Sequence, residues 1–233
     1  MTPAQQSVHS AKGVVFDLFH TLTARESTWS EHPMTHAMLG VPRAVWEEQL
    51  FEASRVRLTG QERDPRKIIA SMARAIKPDI SDEVIHAAVA NRLDRFTKAL
   101  VHIPAANLAM LAKLRQRGTK LGLVSNADAG EIQAWDHSPL RAHFHSTVFS
   151  CDVGHLKPEP KIFHHCLAEL KLQAADCVFV GDGGSGELTA ARQLGFTTIM
   201  VAGVIRELWP EKIPGRAREA HFMVEEVSEL LPE

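Results

Sequence analysis

Three apolar runs in this sequence each open onto side chains able to take part in chemistry, and a lysine stands before prolines between the last two. Val14-Val15-Phe16 leads into Asp17, followed by Leu18-Phe19-His20-Thr21. Leu121-Gly122-Leu123-Val124 leads into Ser125-Asn126, Cys177-Val178-Phe179-Val180 leads into Gly181-Asp182 with Glu187 a turn later, and Lys157 precedes Pro158 and Pro160. An acid at the mouth of a buried strand is costly unless a cation or hydrogen-bond donors receive it. Carboxylates, hydroxyls and one ammonium group brought together would form a site for an anion, a hard cation or both. Taken singly, the same residues have plain structural readings: Asp17 caps a strand, Thr21 satisfies loop backbone, Ser125 ends a strand and Lys157 is solvated before a turn.

In an open α/β sheet, ligands bind outside the carboxyl ends of the strands, so these residues converge if the three runs lie in one parallel sheet. From Pro104 onward the pattern alternates. Helices are predicted over 105–117, 129–136, 158–172 and 187–194, and strands over 120–124, 147–150, 177–180 and 197–201, with Gly118 and Gly195 where helix C-caps belong. Alternation of this kind predicts a parallel sheet covered on both faces. Residues 25–101 carry no strand-like run and read as successive helices. One covers 41–58, with Val45, Leu50, Phe51 and Val56 at helical spacing and Pro42 in its first turn; one opens at Asp64-Pro65; one is N-capped by Ser81, with Val84, Ile85, Ala88, Val89, Leu93 and Phe96 as its apolar face. The layout is an α/β core interrupted after its first strand by a helical insertion. The tail beyond Val204 shows little pattern.

Composition is consistent with this. The 233 residues are 45% hydrophobic and 23% charged, enough for a full core in one large or two small domains. A formal net charge of −2 argues against nucleic acid or an anionic membrane as partner and leaves a small molecule as the expected one. The polar start, Met1 to Ser7, lacks the features of a signal peptide, and no apolar run is long enough to span a bilayer, so a cytoplasmic location is expected. Cys151, Cys166 and Cys177 have no metal-type spacing and are expected to be reduced, mostly buried thiols.

The order Asp, Ser, Lys, then Gly-Asp followed by a second acid resembles that of the haloacid-dehalogenase-like hydrolase superfamily, and the insertion after the first strand resembles its type-I-capped members. The resemblance implies a Rossmann-like core over 1–24 and 101–233 and an all-helical cap over 25–100. It implies that Asp17 is a nucleophile forming a covalent ester that water hydrolyses, with Thr21 in the same motif. Ser125 would hydrogen-bond the transferred group, with Asn126 and His20 beside the substrate, and Lys157 would stabilise Asp17 and the transition state. Magnesium would be held by Asp17, the Phe19 carbonyl and Asp182, with Glu187, where an Asp is more usual, holding the metal or its water. Three acids around one lysine repel each other unless a divalent cation joins them.

The departure is Phe19. Most phosphatases of this family carry there a second Asp that protonates the leaving group, and Phe cannot do so. The expected function is a magnesium-dependent phosphatase acting on a small phosphorylated metabolite through an aspartyl-phosphate. His20, which replaces the family's usual Gly, is one candidate for the missing acid. Alternatives are a carbon–halogen hydrolase, for which an aromatic residue at this position is common but Gly181-Asp182 is not, a carbon–phosphorus hydrolase, which would need a cap lysine among Lys67, Lys77 and Lys98, and a catalytically weak binder. Away from the motifs, His32 with His36 reads as a surface or cap-interface pair or as a substrate contact, His143, His145, His164 and His165 as surface residues, and Arg55 and Arg57 as a solvated helix face or as a site for a substrate carboxylate or second phosphate.

Overall fold

The structure is a computed structural model that describes residues 1–25 and 32–232, so the part of the predicted cap over 26–31 lies outside the described residues. Six strands, β1 (Gly13–Phe16), β2 (Lys120–Ser125), β3 (Ser146–Phe149), β4 (Cys177–Gly181), β5 (Thr197–Val201) and β6 (Phe222–Val224), form one sheet. The sheet is parallel throughout, in the order β3-β2-β1-β4-β5-β6. Its central strands are apolar because both faces are covered. Val14 and Phe16 of β1 enter one core with Leu121, Leu123, Val178 and Val180, while Val15 enters the other with Val124, Phe179 and Met200.

The first face packs against α1 (Pro3–Ser10) and, once the chain returns from its insertion, α7 (Ala105–Gln116). The second packs against α9 (Pro160–Leu170), α10 (Glu187–Gln193), α11 (Gly203–Leu208) and α12 (Ile213–Glu219), and a one-turn α8 (Ser150–Val153) follows β3. The α1 helix, absent from the predicted elements, starts with a Thr2/Gln5 capping box and Pro3 in its first turn, and it buries only Ala4 and Val8.

Between β1 and β2 lie α2 (Thr35–Leu39), α3 (Arg43–Glu52), α4 (Ser54–Leu58), α5 (Pro65–Ile76) and α6 (Asp82–Val101). They share an apolar core of their own, built on Leu39, Trp46, Ile69, Met72 and Ile85. Asp64 and Ser81 cap α5 and α6 through their side chains, as the sequence predicts. The single helix expected over 41–58 is two helices that meet at Ala53, with Pro42 at the N-cap and the Leu50 carbonyl accepting from the Arg57 guanidinium. The helix expected over 129–136 does not form. Turns there lead into a short 3-10 segment at Trp135–His137. Asp128 and Glu131 exchange side-chain bonds with each other's main-chain N–H, and Glu131 then reaches across to Arg92 of α6, so tertiary pairing replaces a helical ladder.

The register fixes where the motif residues emerge. Phe16 lies beside Leu123 of β2 and Val180 of β4. Asp17, Ser125 and Asp182 therefore stand together at the carboxyl ends of three neighbouring inner strands, and the Asp17 N–H still donates to the Val180 carbonyl at 2.8 Å.

Candidate active site

The side chains of Asp17, Thr21, Ser125, Lys157, Asp182 and Glu187 meet at these strand ends, beneath the helical insertion. Lys157, only 3% exposed, donates through Nζ to Asp17 Oδ1 at 2.5 Å and to Glu187 Oε2 at 2.5 Å. Thr21 Oγ1 donates to Asp17 Oδ2 at 2.9 Å, so both oxygens of the Asp17 carboxylate are oriented. Burial opposes the Lys157 charge, but Asp17 and Glu187 outweigh it and hold its pKa above that of an ordinary lysine. Glu187 moves the other way: burial pushes its carboxyl well up, Lys157 opposes this, and Asp17 and Asp182 add to it.

The turn after β4 is shaped by these contacts. Glu187 Oε1 accepts from the Gly183 N–H at 3.0 Å, and a Cβ on Gly181 would stand 2.2 Å from that same oxygen. A glycine before Asp182 is what lets the Glu187 carboxylate reach Lys157. Gly181→Ala is therefore expected to destabilise the protein by about 1–3 kcal/mol, the usual range for overpacking, measured by chemical denaturation. A change within a few tenths of a kcal/mol would show that Glu187 moves aside freely.

Asp182 is equally tied. Its Oδ1 accepts from the Gly184 N–H at 2.8 Å, and its Oδ2 accepts from Arg216 Nη1 at 2.8 Å. His20 Nδ1 stands 3.8 Å from Asp182 Oδ2, and its ring packs edge-on to Trp209 at 5.4 Å between centroids. With φ 63°, His20 occupies the left-handed region, where a residue other than glycine costs roughly 1–2 kcal/mol.

A cavity of about 530 Å³ opens over this cluster, with Asp17, Ser125, Lys157 and Asp182 on its floor and Trp46, Leu50, Arg57, Arg92 and Phe96 of the insertion above. The buried Ser125 Oγ has no hydrogen-bond partner among the described residues, a hydroxyl available to a bound ligand. Asn126 also lines the cavity, but its amide is engaged by the Lys157 main chain: Nδ2 donates to the Lys157 carbonyl at 2.9 Å and Oδ1 accepts from the Lys157 N–H at 2.7 Å. From the cavity wall, Asn126 thus ties down the lysine loop. Phe19 turns its ring edge-on to Phe96 of α6 at 5.1 Å, bridging core and insertion.

Among the described residues, Arg25 at the start of the insertion pairs with Glu226, and further arginines of the insertion meet core carboxylates. Arg55 pairs with Glu159, Arg63 with Asp152, Arg57 with Asp128 and Arg92 with Glu131. The last two are largely buried. Arg57, read from sequence as part of a solvated face, has a side chain only 11% exposed, because core acids distant in sequence receive it. Burial and Asp128 push the Glu131 carboxyl up, while Arg92 and Arg57 pull it down. His36 faces the cavity, whereas His32 is bound within the insertion by Asn91 and Asp94. His143, read as a surface residue, is partly buried, and His145 receives the Leu121 N–H at Nδ1. All three cysteines are free and buried, and burial raises each thiol, to about 12 for Cys151 and Cys166 and about 11 for Cys177.

Comparison with known families places this arrangement. The model of the family described as haloacid dehalogenase-like hydrolase matches residues 11–195, most of the chain and four of the six strands. The chain belongs to the haloacid dehalogenase-like hydrolases. Among curated relatives of this hydrolase, rat bifunctional epoxide hydrolase 2 is 37% identical over 46% of this chain and 20% of its own length. The glyceraldehyde 3-phosphate phosphatase of Methanopyrus kandleri is 27% identical over 82% of this chain and 83% of its own. The first relatives matched are longer proteins, of which the chain spans between a fifth and about half. Among solved structures, the L-2-haloacid dehalogenase of Xanthobacter autotrophicus, with chloropropionic acid covalently bound, superimposes with a TM-score of 0.63 at 17% identity, covering 94% of this chain and 96% of that one. A family enzyme from Bacteroides thetaiotaomicron, in complex with magnesium and inorganic phosphate, gives 0.59 at 20% identity, covering 82% and 94%. At such identities the structural likeness speaks for the fold.

The hydrolase carries a donor set that suits a hard divalent cation. Asp17, Asp182 and Glu187, all buried, each offer an oxygen within 4.8 Å of the others. Oxygen-only ligands of this kind are those magnesium takes. Among the described residues no helix is long and apolar enough to cross a membrane.

Proposed function

We propose that this hydrolase is a magnesium-dependent phosphatase acting on a small phosphorylated metabolite, with Asp17 as its nucleophile. The observation that carries the reading is the buried group of three carboxylates around Lys157. Hydrolysis of a carbon–halogen bond needs no such cation-binding set. Asp17, the Phe19 carbonyl and Asp182 would hold the metal, with Glu187 binding it directly or through water. Bound magnesium would supply positive charge beside the phosphoryl oxygens. Residues 25–100 act as the cap and 1–24 with 101–233 as the catalytic core. The three free, buried thiols fit a cytoplasmic setting.

The chain's own residues then account for the chemistry. Lys157 and Thr21 hold the Asp17 carboxylate in one orientation, from which an oxygen attacks phosphorus. A P–O bond to Asp17 forms as the P–O bond to the leaving group breaks. Ser125 Oγ and Lys157 Nζ donate to the phosphoryl oxygens while charge builds on them. Water next attacks the aspartyl-phosphate, inorganic phosphate departs and the Asp17 carboxylate is restored. The leaving oxygen gets no proton from position 19, since Phe19 has none to give. His20 is the imidazole at hand, although its ring is directed to Asp182 and Trp209.

The test is a panel of phosphomonoesters, 2-haloacids and phosphonates incubated with and without magnesium, following phosphate, halide and aldehyde. Phosphate alone should be released, only with the metal, and Asp182→Ala should weaken magnesium binding by at least about tenfold, as loss of a direct ligand requires. Release of halide from the chelated protein would overturn the reading in favour of the dehalogenase, the second reading that Phe19 keeps in view.

A further inference from the structure

Asp182 is held by a cation from beyond the part of the chain that the family model matches. We infer that Arg216, on α12 and outside residues 11–195, is a positioning residue that sets the divalent-cation affinity of the Asp17, Asp182 and Glu187 cluster, steadying Asp182 when the metal is away and weakening the metal's hold when it is present. The inference rests on the metal reading above. Arg216 Nη1 donates both to Asp182 Oδ2 at 2.8 Å and to the Asp182 carbonyl at 3.0 Å. The arginine side chain is 17% exposed and the aspartate 9%, so water screens the pair little.

The sequence after Asp182 makes room for this arginine. A Cβ on Gly183 would stand 3.0 Å from Arg216 Cβ and 3.1 Å from Arg216 Cδ, so the arginine stem lies along the glycine backbone. The Gly184 N–H independently orients Asp182 Oδ1. Asp182 thus keeps one fixed oxygen if Arg216 is removed.

Charge decides the direction of the effect. Lys157 lies between Asp17 and Glu187, and Arg216 neutralises the remaining acid, so three carboxylates are matched by two cations before any metal arrives. A divalent ion on the same carboxylates is repelled by a guanidinium hydrogen-bonded to one of them, and in a partly desolvated site that repulsion is strong. A purely structural arginine would make both the fold and the metal site weaker when lost. A counter-cation makes the fold weaker and the metal site tighter.

The experiment titrates magnesium chloride, without substrate, into the full chain as wild type, Arg216→Gln, Arg216→Lys and Asp182→Ala, with calorimetry for affinity and melting of the metal-free protein for stability. Arg216→Gln should bind magnesium about tenfold more tightly and melt lower when metal-free. Arg216→Lys, which keeps the charge, should bind within about threefold of wild type. Unchanged or weaker binding by a folded Arg216→Gln protein overturns the inference while leaving the metal site standing. Absence of binding by the wild type, or full binding by Asp182→Ala, overturns the metal reading itself and this inference with it. If Arg216→Gln fails to fold, Arg216→Lys decides through the metal-free melt and the titration together: tenfold tighter binding by that still-charged variant would refute the charge argument.

Discussion

Asp17→Asn is expected to reduce phosphate release by about four orders of magnitude or more, the scale on which loss of a covalent nucleophile is felt. The substitution keeps the shape of the side chain and replaces the attacking carboxylate oxygen with an amide. Lys157 retains Glu187 at 2.5 Å and can still donate to the oxygen of the new amide, so a buried lysine is not left without a partner. What changes structurally is the Thr21 contact, because an amide nitrogen cannot accept the proton that Oγ1 now donates to a carboxylate oxygen. The fold should therefore survive with a loss of about 1–3 kcal/mol, the range for an impaired buried hydrogen bond. Circular dichroism and a denaturation curve check the fold, and phosphate release under saturating magnesium checks the chemistry. Turnover within tenfold of wild type in a folded protein would remove Asp17 from the nucleophile's role.

Why Asp17 can be singled out from sequence, and other residues cannot, is a matter of which interactions are local. The strands β1, β2, β4 and β5 are legible because a strand buried on both faces is a largely apolar run, and Ser125 ends β2 while Asp17 and Asp182 stand one residue beyond β1 and β4. β6 is only Phe222-Met223-Val224, an edge strand with Met223 exposed, and lacks that signature. α1 is polar on most of its surface, although Thr2 and Gln5 at capping-box spacing are a signal available in the sequence.

The charged parts of the site are hidden for a different reason. On α6 the residues Arg92 and Arg95 are buried, yet an arginine in a helix reads as solvated until the carboxylates that receive it are known. For Arg92 these are Asp128 and Glu131, which the sequence pattern places in or beside a helix that does not form. Neither half of the pairing is visible without the other. Arg216 is the same case at greater distance: it lies in the weakly patterned tail, and only the packing of α12 beside the Gly183 turn brings it to Asp182.

Phe19→Asp is expected to raise the turnover of alkyl phosphates by about 10²-fold or more, the lower part of the range for general acid–base assistance. The wild-type protein should be slow on alkyl phosphates, whose leaving oxygen needs a proton, and relatively faster on aryl and acyl phosphates, whose leaving groups depart as anions. A carboxyl group at position 19 would restore the proton donor for the first class and change the second little. Its structural cost is the edge-on contact of Phe19 with Phe96, at 5.1 Å, across the junction of core and cap. Phe19 is only partly buried and packs at the margin of the core, so that loss should fall below the roughly 3–5 kcal/mol of removing a fully buried aromatic ring. Cap packing and chemistry are separable by comparing Phe19→Asp with Phe19→Asn, which loosens the same contact without supplying an acid. Faster turnover in both variants, equal for alkyl and aryl substrates, would mean that the ring limits access to the cavity. Faster alkyl turnover in Phe19→Asp alone identifies the missing proton as the limit on this site.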